Sequence, residues 1–193
     1  MAFQELPPFA AWRHRDARDG FEVVFLQSRP EDHLLEGHTA AVEDGEAWSV
    51  QYSIVVDASW LTQTAQVVGQ SATGRRAVSL EADRAGAWRI NGTPAPELDG
   101  CLDVDLESSS LTNTLPIHRL ALEIGQDADA PAAYVRALDL TVERLEQRYV
   151  RTEDERVGQR YAYSAPRFDY TGQLGYDVHG LVLDYPGIAG RAA

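Results

Sequence analysis

Apolar and polar residues alternate with period two along most of the chain, the signature of half-buried strands. "FEVVFLQ" (21–27) is rich in β-formers, and "AWSVQYSIVVDASW" (47–60) alternates over a longer run. There Trp48, Val50, Tyr52, Ile54 and Val56 share one face, and Ser49, Gln51, Ser53 and Val55 the other. "TQTAQVVGQ" (62–70), "RAVSLEAD" (76–83) and "GAWRING" (86–92) follow at short spacing. The connections "ASW", "SATGR", "DRAG" and "NGTP" carry turn chemistry, with Asn91-Gly92 the strongest pair. This spacing predicts an antiparallel meander. Near the C-terminus Leu174, Tyr176 and Val178 are predicted on one strand face, Gly180 interrupts the run, and Pro186 ends "LVLDYP". Over 140–151 the pattern admits two readings: an amphipathic helix through Leu140, Leu145 and Tyr149, or a strand with Leu140 and Val142 on one face and Tyr149 following. Tyr161 and Tyr163 would then alternate in the next strand. The expected fold class is all-β, a single domain over 1–193, many-stranded and antiparallel with little helix.

Length and charge narrow the function classes. At 193 residues the chain suits one sizeable core. Its 30 acidic residues outnumber 17 basic ones, all arginine, for a formal net charge of −13. Nucleic-acid binding requires a basic footprint that this balance lacks, and the absence of lysine excludes lysine Schiff-base chemistry. A single cysteine, Cys101, allows neither an internal disulfide nor a cysteine-rich zinc site. The N-terminal stretch lacks the basic start and apolar run of a secretory signal. No run reaches the ~18–20 apolar residues of a membrane span. A cytoplasmic protein without cofactor or metal is expected.

Candidate chemistry concentrates in "DGCLDVDLESSSLTNTLPIHRLAL" (99–122). Asp103 and Asp105, two apart on a strand, point the same way, with Leu102, Val104 and Leu106 opposite towards the core. Paired carboxylates serve acid–base chemistry or hold a metal. They also form ordinary solvated strand faces, and a structural or solvated role is the favoured expectation. If 101–107 paired with 117–124, Arg119 could meet one of the acids and tie the loop. Asn113 in "TNTLP" suits loop shaping, since Asn tolerates left-handed backbone and caps turns. Cys101 with His118 as base would make a nucleophile, but a lone cysteine beside a strand start is more often a small buried apolar residue. "DVH" (177–179) would place Asp177 and His179 on one strand face without a third ligand. There is no G-x-S-x-G, no G-x-G-x-x-G, no Walker A sequence and no H-E-x-x-H. "NGT" (91–93) matches a glycosylation acceptor that an unsecreted protein would not use. The aromatic residues, among them Trp48, Trp60 and Trp88, fill a core or line an apolar pocket.

The stretch 98–120 resembles the Putative glycolipid-binding family, bacterial proteins of similar length once catalogued as a domain of unknown function. Leu98, Gly100, Cys101, Asp103, Val104, Asp105 and Leu106 match its first half. Thr112, Asn113, Thr114, Leu115, Pro116, Ile117, Arg119 and Leu120 match its second. Trp88, "QRY" (147–149), "YAY" (161–163) and "YDVHGLVLDYPG" extend the likeness from about Trp48 to Arg191. His118 stands where the family pattern has arginine. The resemblance implies a spiral β-roll similar to lipoprotein-carrier folds, and hence a strand over 140–151. It implies a non-enzymatic binding protein for a glycolipid or other amphipathic small molecule. On that reading Trp48, Trp60 and Trp88 supply apolar walls. Asp103, Asp105, Asn113 and Arg119 supply polar contacts or hold the loop. Two other classes stay open: an enzyme acting on a small polar or sugar-like substrate through Asp103 and Asp105, and a structural or interaction protein without a ligand.

Overall fold

A computed structural model of the chain describes residues 3–83, 85–155 and 158–193. The strands, in chain order, are β1 (Phe9–His14), β2 (Asp19–Ser28), β3 (Asp32–Glu43), β4 (Glu46–Asp57), β5 (Thr62–Ser71), β6 (Gly74–Ala82), β7 (Trp88–Ile90), β8 (Thr93–Pro94) and β9 (Asp103–Leu106). A seven-residue helix, α1 (Thr114–Leu120), follows. Then come β10 (Asp127–Asp129), β11 (Ala132–Val135), β12 (Val142–Leu145), β13 (Arg148–Glu155), β14 (Gly158–Ala165), β15 (Tyr170–Tyr176), β16 (Val182–Tyr185) and β17 (Ala189–Arg191).

Among the described residues, fourteen strands form one antiparallel sheet in the order β10-β13-β14-β15-β16-β17-β1-β2-β3-β4-β5-β6-β7-β8. The two ends of that order are not paired to each other, so the sheet is open. It curves around a three-stranded sheet, β12-β11-β9, in which β9 runs parallel to β11. The strands predicted from alternation are present, and 140–151, where the pattern left helix and strand open and the family resemblance implied strand, holds β12 and the start of β13. Trp48, Val50, Tyr52, Ile54 and Val56 all face the core. Two details differ. Leu140 lies in a turn with φ +58 rather than on a strand face. Val178 is 48% exposed, because β15 ends at Tyr176 and the chain turns through Asp177–Gly180. The same turn takes Asp177 and His179 off a strand: Asp177 Oδ1 accepts the backbone N–H groups of His179 and Leu181, at 2.8 and 2.9 Å.

The interior of the curve is filled by the chain's own segment 101–120. Among the ties that hold it to the large sheet are those from Thr62 and Glu22. Thr62, at the start of β5, donates its N–H to Leu102 O (3.1 Å), and its Oγ1 accepts the N–H of Val104 (3.0 Å). From β2, the fully buried Glu22 accepts from Tyr52 OH (2.6 Å), Ser110 N–H (2.8 Å) and the Ser109 hydroxyl. Burial pushes this carboxyl above its usual range, and the hydrogen bonds pull against it. Gly37 on β3 makes the Tyr52 contact possible. A Cβ there would stand 2.1 Å from Tyr52 Cζ, so only glycine lets that ring lie across the sheet towards Glu22.

Candidate functional site

The central segment departs from its expected geometry in three respects. First, no side of β9 meets water: Asp103 is 1% exposed and Asp105 7%. The carboxylate pair therefore does not form a solvated strand face. β9 is sandwiched inside the curve, so its carboxylates meet α1 and the chain around Gln147. Second, 117–124 is not a strand paired with 101–107; it holds the end of α1, which closes at Ala121 with φ +45. Third, Asn113 is right-handed (φ −66) and makes no side-chain cap. Its side chain instead accepts Tyr149 OH at 2.9 Å, while its backbone carbonyl accepts Tyr176 OH at 3.2 Å.

The two aspartates have different surroundings. Arg119 reaches Asp103 from α1 with a two-pronged contact, Nε to Oδ1 at 3.0 Å and Nη2 to Oδ2 at 2.5 Å. Burial pushes the Asp103 carboxyl up, and the Arg119 fork opposes that push. Among the described residues no cation is paired with Asp105. Thr112, from the short 3₁₀ turn Leu111–Asn113, donates to Oδ1 at 2.7 Å, and Gln147 Nε2 donates to Oδ2 at 2.5 Å. Burial is the main force raising this carboxyl to about 6. The two hydrogen bonds resist, and the charges of Asp103 and Glu107 add to the rise.

Asp105 and Asn113 open into a cavity of about 230 Å³ between the small sheet and strands β14–β17. Tyr163, Tyr170 and Tyr185 come from three neighbouring strands and meet mutually tilted or edge-on, with centroids 5.6–6.0 Å apart. Tyr134 and Phe168 form the opposite wall, 5.4 Å apart. Burial pushes the Tyr163 and Tyr185 hydroxyls upward. The other tyrosines and the Asp105 charge add to that rise, so both remain protonated donors at neutral pH. At the rim, Arg136 lies 5.6 Å from the Tyr134 ring centroid and 5.4 Å from that of Phe168. It pairs with Glu107 (3.2 Å) and Glu143 (3.3 Å). Arg18 donates to Glu107 O at 3.0 Å and faces Glu43 at 3.6 Å.

A larger cleft of about 960 Å³ is lined by the N-terminal residues 3–6, by Ser28, His33 and Trp60, by His118 and residues 121–124, and by Arg151, Asp154 and Gln159. Trp60 stacks there between His118 (3.8 Å) and His33 (4.7 Å), with Phe3 against His118 at 4.5 Å. Leu6, Leu122 and Ile124 add apolar surface. Burial lowers His118 to about 4, and its Nε2 lies 3.0 Å from His179 O. Arg151 is committed to Asp154 and to the carbonyls of Thr152 and Arg160.

Of the residues singled out in the sequence, Asp105 and Asn113 thus line one cavity and Trp60 the other. Trp88 donates Nε1–H to Cys101 O at 2.9 Å inside the core. Trp48 is buried beneath the Arg18 guanidinium, 5.2 Å from its centroid. Asp103 and Arg119 bind each other. Cys101 is fully buried, and burial pushes its thiol up to about 11, the state of a packing residue rather than of a nucleophile. Among the described residues no group of three His, Cys, Asp or Glu side chains converges as a metal site would. The aromatic wall at 134, 163, 168, 170 and 185 was not singled out from sequence. Only the alternation of Tyr161 and Tyr163 hinted at it, and the other rings converge through strand order.

The family described as "Putative glycolipid-binding" matches residues 9–191. The chain is also similar to a DUF1089 family protein from Pseudomonas aeruginosa, known from a crystal structure. The two are 30% identical, with a TM-score of 0.77 and 99% of each chain covered. No curated protein matches.

Proposed function

The chain belongs to the family described as "Putative glycolipid-binding", and from that membership we propose that it is a non-enzymatic binding protein for an amphipathic small molecule, a glycolipid, held by its sugar head in the Asp105 cavity. One observation carries this reading: a buried carboxylate free of any cation forms the floor of an aromatic-walled cavity. A few placed polar groups among aromatic walls are the usual make-up of a small-molecule site. The tail would leave past Phe168, which is 40% exposed at the mouth, and Ile188 beside it. Asp103 does not line the cavity, so Asp103 and Asp105 do not present an acid and a base to one ligand. That favours binding over the enzymatic alternative.

The test is native mass spectrometry and fluorescence titration of the purified protein with octyl glucoside below its micellar threshold. A one-to-one adduct is expected, weakened about tenfold or more by Phe168→Ala and by Tyr170→Ala, two substitutions at partly exposed positions. Saturable binding that is indifferent to both would place the ligand elsewhere, and no adduct at all would remove the reading.

A further inference from the structure

We propose that the head taken by this cavity is a single neutral pyranose ring, to the exclusion of anionic and quaternary-ammonium heads. The proposal rests on the reading of the Asp105 cavity as a glycolipid head site and adds its chemical selectivity. Three charge and shape arguments decide it.

Among the described residues, both arginines that line the cavity already face carboxylates. Arg136 is shared by Glu107 and Glu143; Arg18 donates to the Glu107 carbonyl and faces Glu43 at 3.6 Å, with its Nε left without a hydrogen bond. The floor adds the Asp105 carboxylate, and the chain as a whole carries −13. An entering phosphate, sulfate or uronate would lose its water and gain net repulsion.

A cationic head meets the opposite obstacle. An aromatic cage holds a quaternary ammonium by offering ring faces to it. Here the faces of Tyr134 and Phe168 are already covered by the Arg136 guanidinium. Tyr163, Tyr170 and Tyr185 stand tilted or edge-on to one another, so they do not form a box of faces. A second cation would be pressed against Arg136.

A neutral polyol suits what remains. Each oxygen of Asp105 accepts one hydrogen bond, from Thr112 or Gln147, and a carboxylate has about four acceptor positions, so capacity is left for sugar hydroxyls. The neutral hydroxyls of Tyr163 and Tyr185 both donate and accept. The cavity of about 230 Å³ has room for one six-membered ring with its hydroxyls.

The experiment compares three amphiphiles with the same octyl tail below their micellar thresholds: octyl glucoside, octyl glucuronide and octyltrimethylammonium. Dissociation constants are measured on the wild type, Asp105→Asn and Glu107→Gln. The wild type should bind the glucoside at least tenfold more tightly than either charged head, and Asp105→Asn should weaken the glucoside about tenfold. Glu107→Gln keeps an acceptor for the Ala137 N–H, now 2.7 Å from Oε2, and removes one negative charge from the rim. It should narrow the gap between glucuronide and glucoside even if Asp105→Asn fails to fold. Tightest binding of a charged head, or equal binding of all three through the tail, overturns this inference while leaving amphiphile binding in place. Failure of all three to bind overturns the underlying reading instead.

Discussion

At the residue scale, Asp105 shows what burial does to a carboxylate that has hydrogen-bond donors but no cation. Its neighbour Asp103 has a guanidinium fork; Asp105 has only Thr112 and Gln147, and its carboxyl rises to about 6. The consequence for stability has a definite sign. Unfolded, this group titrates near 3.8; folded, near 6. Between those values the folded protein keeps a proton that the unfolded chain has released, so raising the pH through the window lowers stability. The span from 3.8 to about 6, at ~1.4 kcal/mol per pH unit, is on the order of 3 kcal/mol. Asp105→Asn lacks this titration. Its unfolding free energy relative to wild type, from urea melts, should therefore improve by that order between pH 3.5 and pH 7. A difference that stays constant across the window would show that Asp105 titrates normally.

At the scale of the element, α1 cannot be a stable object by itself. Seven residues are far below the ~12–15 at which isolated helices become marginal in water. It exists because Leu115 and Ile117 are fully buried against the curved sheet and Arg119 is anchored on Asp103. Leu115→Ala should accordingly cost about 2–5 kcal/mol, the range for truncating a buried leucine. Because the helix has no independent stability, it should not melt separately. Far-UV circular dichroism and tyrosine fluorescence should lose signal together in urea, with the midpoint lowered and the slope kept. An early, separate helical transition in the variant would show that α1 and the sheet are not one cooperative unit. The long strands behave differently: β3 and β4 pair over their full twelve residues, a hairpin that local alternation and a tight turn already favour.

At the scale of the whole molecule, the sheet is completed by the meeting of its two chain ends. β1 pairs with β2 on one side and with β17 on the other. Trp12, fully buried on β1, donates its Nε1–H to Val182 O at 2.7 Å, and the Arg191 guanidinium covers it 4.7 Å from the ring centroid. Removing residues 187–193 would strip β17 from β1 and β16, uncover Trp12 and leave two unpaired strand edges. The truncated protein should melt at a clearly lower temperature, show red-shifted tryptophan emission and tend to associate through those edges. An unchanged melting temperature would mean that the pairing of β17 with β1 and β16 contributes little.

Much of the fold was legible because a strand with one buried face writes that face into every second residue. Trp48, Val50, Tyr52, Ile54 and Val56 could be assigned to the core from the sequence, and so could the turns at 58–60 and 91–92. The ambiguous stretch 140–151 was decided as strand through family likeness, since periodicity over so short a run fits helix and strand alike. The candidate site was legible only in part. Asp105 and Asn113 could be singled out as chemistry-bearing residues within a motif. That Asp103 would be closed off by Arg119 while Asp105 stayed without a cation depended on where α1 crosses β9. The tyrosine wall depended on β14, β15 and β16 lying side by side and curling over the small sheet. Residue order determines which side chains share a strand face; which strand faces meet across an interior is set by packing between segments far apart in the chain, and a one-dimensional pattern does not record it.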